Sequence, residues 1–443
     1  MPQLQLDRRH FLAGLGAGSA LLAGGAPVRA LAQLAEPTAW PSTEAFLSAY
    51  RMTKPLPGAM AAIGHGMEPT TYLAAGQSAF VGGAALGPDT IWRIYSMTKP
   101  VTGMAAMILV DDGALTLDQD IGELLPEWAS PMVLADPANS LDARPAAGPI
   151  TVRHLLTHTA GLGYSIVPPL RLQAAIMEAG LFGGQISRDP AVNAASAGGA
   201  TVGAPPTSIE EFSQRAASLP LLADPGAVWS YSMSLEILAR VIEVAAGIPY
   251  EDFLRTRMFE PLGMADTFFQ VPASKIGQMT DNHALVNGNV VVIDPADSVY
   301  LDPPPIAYGG GGLASSAHDY DRFLMMLLGH GAIGDARIMS EETARLGMSD
   351  LLPADVDKSR MYAPSGFGAG GAVATGVATG GTEGQPAGSF GWGGAAGTAA
   401  WVDFRNNMRV SAYIQLIGQP NNDFRPGFTN AVYADTAAQR ADG

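Results

Sequence analysis

Apolar residues follow two different spacings along the chain, and the spacing indicates which segments are strands and which are helices. Short apolar runs over Ala59–Ile63 and Thr71–Ala75 predict two paired strands, with a loop between them. Apolar residues at helical spacing over Ser234–Ala246 predict an amphipathic helix that ends at Gly247. The apolar face of that helix consists of Leu235, Leu238, Val241, Ile242 and Ala245.

Weaker forms of the same signals predict the remaining elements. Further helices are expected over Thr43–Arg51, Met97–Val110, Thr151–Thr159, Tyr250–Met258 and Ala317–Leu328. A capping box of Thr207 with Glu210 predicts a helix that reaches Leu219. Glycine-rich turns separate strands expected over Ser365–Ala372, Ser389–Gly393, Ala399–Phe404 and Arg409–Leu416, and a terminal helix is expected between Gly427 and Arg440.

The predicted strands lie near both ends of the chain, and the predicted helices dominate its middle. This order indicates one α/β (α+β) domain built from residues 33–115 and 305–443. A mainly helical domain is then inserted over residues 116–304. Within it, the Ala/Gly/Ser-rich stretch from Asp189 to Pro206 is expected to be a surface loop.

Residues 1–32 are typical of an export signal rather than of a folded element. Arg8 and Arg9 form a twin-arginine pair, and a Gly/Ala/Leu run covers Ala13–Gly25. Small residues at Ala30 and Ala32 suit an export peptidase. We therefore expect twin-arginine export, with the protein periplasmic or secreted; a loose amphipathic N-terminal helix is the alternative.

The composition narrows the class of partner. The formal net charge of −16 predicts repulsion from nucleic acid and from anionic membrane surfaces. No segment after the predicted signal is apolar over a long enough stretch to span a bilayer, so no stable membrane insertion is expected. The absence of cysteine excludes a cysteine nucleophile, a cysteine-ligated zinc and any disulfide. The oligomeric state stays open.

The strongest chemical motif is Ser96-Met97-Thr98-Lys99 at the start of a predicted helix. Residues three apart share one helix face, so the Lys99 amine can reach the Ser96 hydroxyl. Free N–H groups at the helix start favour negative charge on the serine, and the Ser96 N–H can donate to an oxyanion. Lys99 must be partly desolvated to act as a base. The alternative is a serine N-cap beside a solvated lysine.

Two later segments carry residues that suit the same chemistry. Tyr231 precedes the amphipathic helix and could hydrogen-bond to both Ser96 and Lys99, relaying a proton to a leaving group. Gly391-Trp392-Gly393-Gly394-Ala395 falls on a predicted strand, where glycines let a substrate approach the backbone and one N–H could complete an oxyanion hole. The alternatives are a structural tyrosine and a glycine-rich hairpin around a buried tryptophan.

In this order, the three segments resemble the serine β-lactamase, penicillin-binding protein and carboxylesterase superfamily. Supporting landmarks are Leu155–Leu162, Phe259–Met264 and Gly309–Leu313, and the resemblance extends from about Thr43 to Gln419. It implies an antiparallel sheet flanked by helices, with a helical insertion. It also implies that Ser96 is acylated, Lys99 is its base partner and Tyr231 is the third catalytic residue, while the N–H groups of Ser96 and Ala395 form the oxyanion hole.

Two departures favour the esterase branch, the family VIII carboxylesterases. β-Lactam enzymes of this superfamily have Lys-Thr-Gly on the strand where this chain has Trp392-Gly393-Gly394. That lysine helps to hold a substrate carboxylate, and Trp392 lacks the charge; a charge-assisted hydrogen bond is worth about 1.5–3 kcal/mol. Lactamases often have Tyr-x-Asn, whereas Met233 stands at the third position here.

The predicted function is therefore hydrolysis of small carboxylic esters through a Ser96 acyl-enzyme, without cofactor or metal. A β-lactamase, a D-Ala-D-Ala carboxypeptidase and an acyltransferase would use the same residues, and a non-catalytic envelope binding protein could keep the fold. Specificity loops are expected within Leu162–Pro206 and Gly370–Gly388. A G-x-S-x-G elbow is absent, and His154 and His158 are better explained as structural histidines than as metal ligands.

Overall fold

The structure, a computed structural model, describes residues 39–189, 191–193, 201–286, 288–295, 297–361, 365–376, 384–418 and 423–442. The predicted export signal over residues 1–32, its Arg8-Arg9 pair included, lies outside these residues, as does part of the loop predicted from Asp189 to Pro206. From Trp40 onward the chain forms one compact unit. No helix in the described ranges combines the length and apolar character needed to cross a membrane.

Every predicted helix has a counterpart near its expected position, and three further helices, over Leu170–Glu178, Glu260–Leu262 and Glu341–Gly347, lie outside the predictions. They are α1 (Pro41–Thr53), α2 (Thr98–Asp111), α3 (Val152–Leu156), α4 (Leu170–Glu178), α5 (Ile209–Ala217), α6 (Ser234–Ala246), α7 (Tyr250–Leu254), α8 (Glu260–Leu262), α9 (Ala317–Leu328), α10 (Glu341–Gly347) and α11 (Phe424–Asp442). The bounds predicted for α6 and α9 are confirmed at both ends. Gly247 ends α6 in the left-handed conformation, with φ of 69°.

The strands are more numerous and mostly shorter than the apolar pattern predicts. They are β1 (Gly58–His65), β2 (Thr71–Gly76), β3 (Ile91–Arg93), β4 (Met132–Leu134), β5 (Ala143–Pro145), β6 (Thr267–Phe268), β7 (Asn282–Val286), β8 (Asn289–Asp294), β9 (Ala314–Ser316), β10 (Ala332–Ile333), β11 (Ala336–Arg337), β12 (Gly366–Phe367), β13 (Ala372–Val373), β14 (Phe390–Gly393), β15 (Ala399–Asp403), β16 (Met408–Tyr413) and β17 (Leu416–Ile417).

The main sheet has seven strands in the order β12-β13-β14-β15-β16-β1-β2, and every neighbouring pair is antiparallel. β1 and β2 come from the start of the chain and the other five strands from its end, as predicted. Met60 of β1 lies opposite Tyr413 of β16, which fixes the register across this junction. The predicted pairing of the first two strands is also confirmed.

Both faces of this sheet are covered, because alternate residues of β1 enter two different cores. Ala59, Ala61 and Ile63 pack in a cluster with residues of α1 and α11. Met60 and Ala62 belong to the larger cluster that includes α2, α6 and α9. The end of the chain thus closes one face of the sheet, and the helices that carry the candidate site close the other.

Three predicted details are wrong. The capping residue of α5 is Ser208, which accepts from the N–H of Glu211, while Thr207 instead donates to the Glu211 carboxylate. The strand expected over Ser365–Ala372 is two short strands, β12 and β13, because the chain reverses between them. The helix expected over Tyr250–Met258 leaves the α-helical hydrogen-bond pattern at Arg255 and continues as a π-turn.

The division into an α/β domain and an insertion over residues 116–304 stays a prediction. Strands of that segment pair with strands outside it. β6 pairs with β9, which also pairs with β3, and β7 runs parallel to β17.

Candidate active site

Ser96 lies where a buried strand meets a buried helix. β3 ends at Arg93, a short 3₁₀ turn covers Tyr95–Met97, and α2 follows at once. Tyr95 has φ of 45°, which is uncommon for a residue with a side chain. Its hydroxyl group accepts a hydrogen bond of 2.8 Å from Asn282, and its ring is buried, so packing holds the turn in this conformation. The strained turn fixes the position of the Ser96 hydroxyl group.

Lys99 is fully buried one helical turn after the serine. Its ammonium group donates to Ser96 Oγ at 3.2 Å and to the carbonyl oxygen of Gly310 at 2.6 Å. The same nitrogen lies 4.7 Å from the ring centre of Tyr231 and 5.7 Å from that of Tyr164. One carbonyl oxygen and two aromatic rings thus surround the Lys99 nitrogen.

Tyr231 lies just before α6 and donates a hydrogen bond of 2.7 Å from its hydroxyl group to Ser96 Oγ. Its ring is packed among other aromatic rings, which leave its hydroxyl group little freedom to move. The ring centres of His158, Tyr164, Trp392 and Trp229 lie 4.8, 5.5, 5.9 and 6.4 Å away. The structure therefore brings together the three side chains that the motifs single out.

His158 packs its ring against the ring of Tyr231. Its Nδ1 lies 3.0 Å from Ser232 Oγ, which in turn lies 2.7 Å from Ser234 Oγ. Burial, together with the charge of Lys99, holds the pKa of His158 well below its usual range. His154 lies apart, within the capping box of α3, where its ring nitrogen accepts from the Thr151 N–H. The two histidines thus have separate structural roles.

The glycines of the Trp392 segment allow two close approaches between backbones. A side chain at Gly391 would meet the carbonyl oxygen of Ala400 at 2.1 Å, and one at Gly394 would meet that of Ile94 at 2.2 Å. Because Ile94 comes two residues before Ser96, the second approach sets the end of β14 against the nucleophile turn. Gly393 packs against the guanidinium group of Arg425.

Ala395 lies in the turn after β14, and not on the strand where the sequence pattern placed it. The strand ends at Gly393 because Gly394 donates to the carbonyl of Thr398 and starts the turn. Ala395 is exposed and lines the same cavity as Ser96. Its role in an oxyanion hole, with the N–H of Ser96, stays a proposal.

A cavity of about 930 Å³ opens onto the serine. Its walls are largely apolar and aromatic, and both predicted specificity loops contribute to them. Representative lining residues are Ile166, Met177, Phe182, Val202, Trp229, Tyr308, Met361, Ala372, Gln385, Trp392 and Trp401. A cavity of this size and character accommodates a small organic molecule with substantial apolar surface.

Several residues at the site were missed by the sequence reasoning. Gly310 belongs to a family landmark to which the sequence assigns no role, and its carbonyl oxygen accepts a hydrogen bond from Lys99. Arg425 of α11 lines the cavity and donates to the carbonyl groups of Thr398 and Gly394. No local spacing links Arg425 to the Trp392 segment, so only the packing of α11 could reveal it.

Over the residues that the structure describes, no group of three or more histidine and acidic side chains is placed to hold a metal ion. The groups that meet at Ser96 are a hydroxyl group, an amine and a phenol.

The chain matches a known protein family along most of its length. Residues 43–428 match the family described as Beta-lactamase. Protein Rv1367c of Mycobacterium tuberculosis is 33% identical over 326 residues, which cover 71% of this chain and 75% of that protein. Esterase EstB of Burkholderia gladioli is 30% identical over 336 residues, covering 72% of this chain and 76% of the esterase.

Among solved structures, EstCE1, described as a hydrolase with promiscuous acyltransferase activity, superposes with a TM-score of 0.70 at 22% identity. The match covers 89% of this chain and 98% of EstCE1, and it confirms the predicted fold class, an antiparallel sheet flanked by helices. With nearly the whole described chain matched to one family, the protein belongs to the β-lactamase family.

Proposed function

We propose that this protein is a serine carboxylesterase that hydrolyses small carboxylic esters through an acyl-enzyme on Ser96. The observation that carries the proposal is the position of Ser96 Oγ. It receives hydrogen bonds from Lys99 at 3.2 Å and from Tyr231 at 2.7 Å, and it faces an apolar cavity. A hydroxyl group held by two such groups is the arrangement that nucleophilic catalysis requires.

Each step of the hydrolysis has a candidate residue. In its neutral form Lys99 accepts the Ser96 proton as Oγ attacks the ester carbonyl carbon, and the carbonyl oxygen becomes an oxyanion between the N–H groups of Ser96 and Ala395. When the ester C–O bond breaks, Tyr231 delivers a proton to the leaving alkoxide and recovers one from Lys99. Water then attacks the acyl-enzyme carbonyl carbon and gives a proton to Lys99. That proton passes through Tyr231 to Ser96 Oγ as the acyl C–O bond breaks and the carboxylic acid leaves.

Two features support esters over β-lactams. Trp392 stands where β-lactam enzymes of the superfamily have a lysine, and it forms part of an aromatic wall with Tyr231 and Phe367. Esterase EstB, at 30% identity, is named for ester hydrolysis. Arg425 brings a positive charge to the same cavity, but its guanidinium group is engaged by backbone carbonyls.

The test measures turnover of p-nitrophenyl acetate, butyrate and octanoate by the protein, by Ser96→Ala and by a control variant, Ser130→Ala. Ser130 is exposed on a bend remote in sequence from the motifs, so its variant should retain full activity. Ser96→Ala should lose at least a thousandfold in kcat, because the covalent path is gone. Equal rates for Ser96→Ala and wild type would refute the assignment. Nitrocefin hydrolysis as fast as ester hydrolysis would instead favour a lactamase.

Acyl transfer to an alcohol is the second candidate, and the cavity favours it. A space of about 930 Å³ exceeds what a short acyl group needs, so an acceptor alcohol could occupy part of it in place of water. EstCE1 is described as having such a promiscuous activity. Adding butanol to a p-nitrophenyl butyrate reaction distinguishes the two. An esterase gives mainly butyric acid, whereas an acyltransferase gives mainly butyl butyrate at unchanged p-nitrophenol release.

A further inference from the structure

Glu236 is an acidic side chain in an unusual place. It lies on α6 and is fully buried, and no side chain of the described residues lies within hydrogen-bond distance of either carboxyl oxygen. A buried carboxyl group is costly unless it is paired, so its presence in the core calls for a specific reason. The other acidic residue of this helix, Glu243, follows the ordinary pattern, because it is part-exposed and pairs with Arg240.

The carboxyl group of Glu236 packs against the peptide that holds Lys99. A side chain added at Gly310 would come within 2.3 and 2.6 Å of its two oxygens. The carbonyl oxygen of Gly310 accepts from Lys99 at 2.6 Å, and that of Gly309 accepts from Thr102 Oγ1 at 2.6 Å. The Gly309–Gly310 backbone therefore lies between the carboxyl group and the lysine, and a residue larger than glycine would not fit at position 310.

Lys99 carries the positive charge that acts most strongly on Glu236. Burial raises the pKa of Glu236, and the Lys99 charge opposes that rise more than any other group does. Burial and, after it, the charge of Glu236 raise the pKa values of Tyr250 and Tyr308. Burial and, after it, the charge of Lys99 lower the pKa of His158.

We infer that Glu236 is a positioning residue that acts through Lys99, stabilising its ammonium form across the Gly310 peptide. The inference rests on the proposed function. When Lys99 takes the Ser96 proton, a cation forms on a fully buried side chain, and the carboxylate behind Gly310 offsets its charge. Without that carboxylate, proton uptake by Lys99 is less favourable.

The test compares Glu236→Gln, Glu236→Asp and the control Glu243→Gln, which lies on the same helix. Two rates are followed from pH 4 to pH 9: ester turnover, and phosphorylation of Ser96 by diethyl p-nitrophenyl phosphate, read by intact mass. Glu236→Gln should lower kcat by about threefold to tenfold, change KM less than twofold and move the acidic limb of both profiles down by about one pH unit, because one pKa unit of the base corresponds to at most about tenfold in rate. Glu236→Asp, whose carboxylate is withdrawn from Gly310, should move the limb less in the same direction.

The outcomes separate the two claims. A folded Glu236→Gln with wild-type kcat and a wild-type pH profile overturns the role of Glu236. If Glu236→Gln does not fold, an unmoved limb in Glu236→Asp overturns it equally, and a shift in Glu243→Gln as large as in Glu236→Gln does so too. Wild-type protein that neither hydrolyses esters nor forms the Ser96 adduct refutes the proposed function itself.

Discussion

At the scale of single residues, the three side chains of the candidate site are held with little freedom to move. Ser96 follows Tyr95, whose backbone is in the left-handed conformation. Lys99 is enclosed by a carbonyl group and two aromatic rings, and Tyr231 is packed among aromatic neighbours. Such preorganisation lowers the cost of reaching the geometry for reaction. The Ser96–Lys99 pair follows from local spacing on one helix turn, and the sequence alone therefore predicts it.

Removing the Tyr231 hydroxyl group tests its proposed part in proton transfer. Tyr231→Phe keeps the ring and its packing, so we expect little change in KM for p-nitrophenyl butyrate. Loss of a general acid typically costs about 10²–10⁴-fold, so kcat should fall by that order. Tyr50→Phe is the matched control, because Tyr50 donates to Asp423 and lies outside the cavity lining. A kcat for Tyr231→Phe within threefold of wild type would exclude the proposed role.

At the scale of elements, α1 illustrates a helix whose start is completed from elsewhere in the chain. Its own N-cap residue, Trp40, provides no side-chain cap. Instead the Asp435 carboxylate of α11 accepts from the N–H groups of Ser42 and Thr43, each at 2.9 Å, and from Thr43 Oγ1 at 2.8 Å. These contacts join the first and last helices of the compact unit.

Replacing Asp435 should therefore destabilise both helices together. Asp435→Ala leaves two backbone N–H groups and the buried Thr43 hydroxyl group without their acceptor, so the free energy of unfolding should fall by about 1–3 kcal/mol. Urea titration followed by circular dichroism measures the loss. Glu44→Ala, an exposed change in the first turn of α1, should cost less than about 1 kcal/mol. Equal effects of the two substitutions would contradict a capping role for Asp435.

At the scale of the whole molecule, two buried ion pairs join segments that are distant in sequence. Arg409 of β16 donates from Nε to Asp321 of α9 at 2.8 Å. Arg93 of β3, three residues before the nucleophile, donates from Nε to Asp294 at 2.7 Å and from Nη1 to the carbonyl of Thr280 at 2.6 Å. Both arginines are fully buried.

Breaking the second pair should lower the stability of the entire unit. Asp294→Asn leaves Arg93 as an uncompensated buried charge, which typically costs about 3–5 kcal/mol. The melting temperature and the urea midpoint should both fall. Glu341→Gln removes a surface partner of Arg345 and should cost at most about 1 kcal/mol. If Asp294→Asn unfolds at the wild-type urea concentration, the pair is not a determinant of stability.

The sequence alone determined what local spacing encodes. The helical period and a glycine stop defined α6, and the same period defined α9, while the Ser96-x-x-Lys99 spacing placed an amine beside a hydroxyl group. Family landmarks added the expected fold and the candidate Tyr231. These features persist in any environment that allows a helix to form, because residues three or four apart always meet on its surface.

Only the tertiary structure decided which distant groups surround that pair. The Tyr231 hydroxyl group, the Gly310 carbonyl, the buried Glu236 and the Arg425 guanidinium reach the site from segments 135 or more residues beyond Ser96. Their positions depend on how α6, the Gly309–Gly310 backbone and α11 pack on the sheet. Packing of this kind is set by the shapes of whole elements, and no spacing within one segment encodes it.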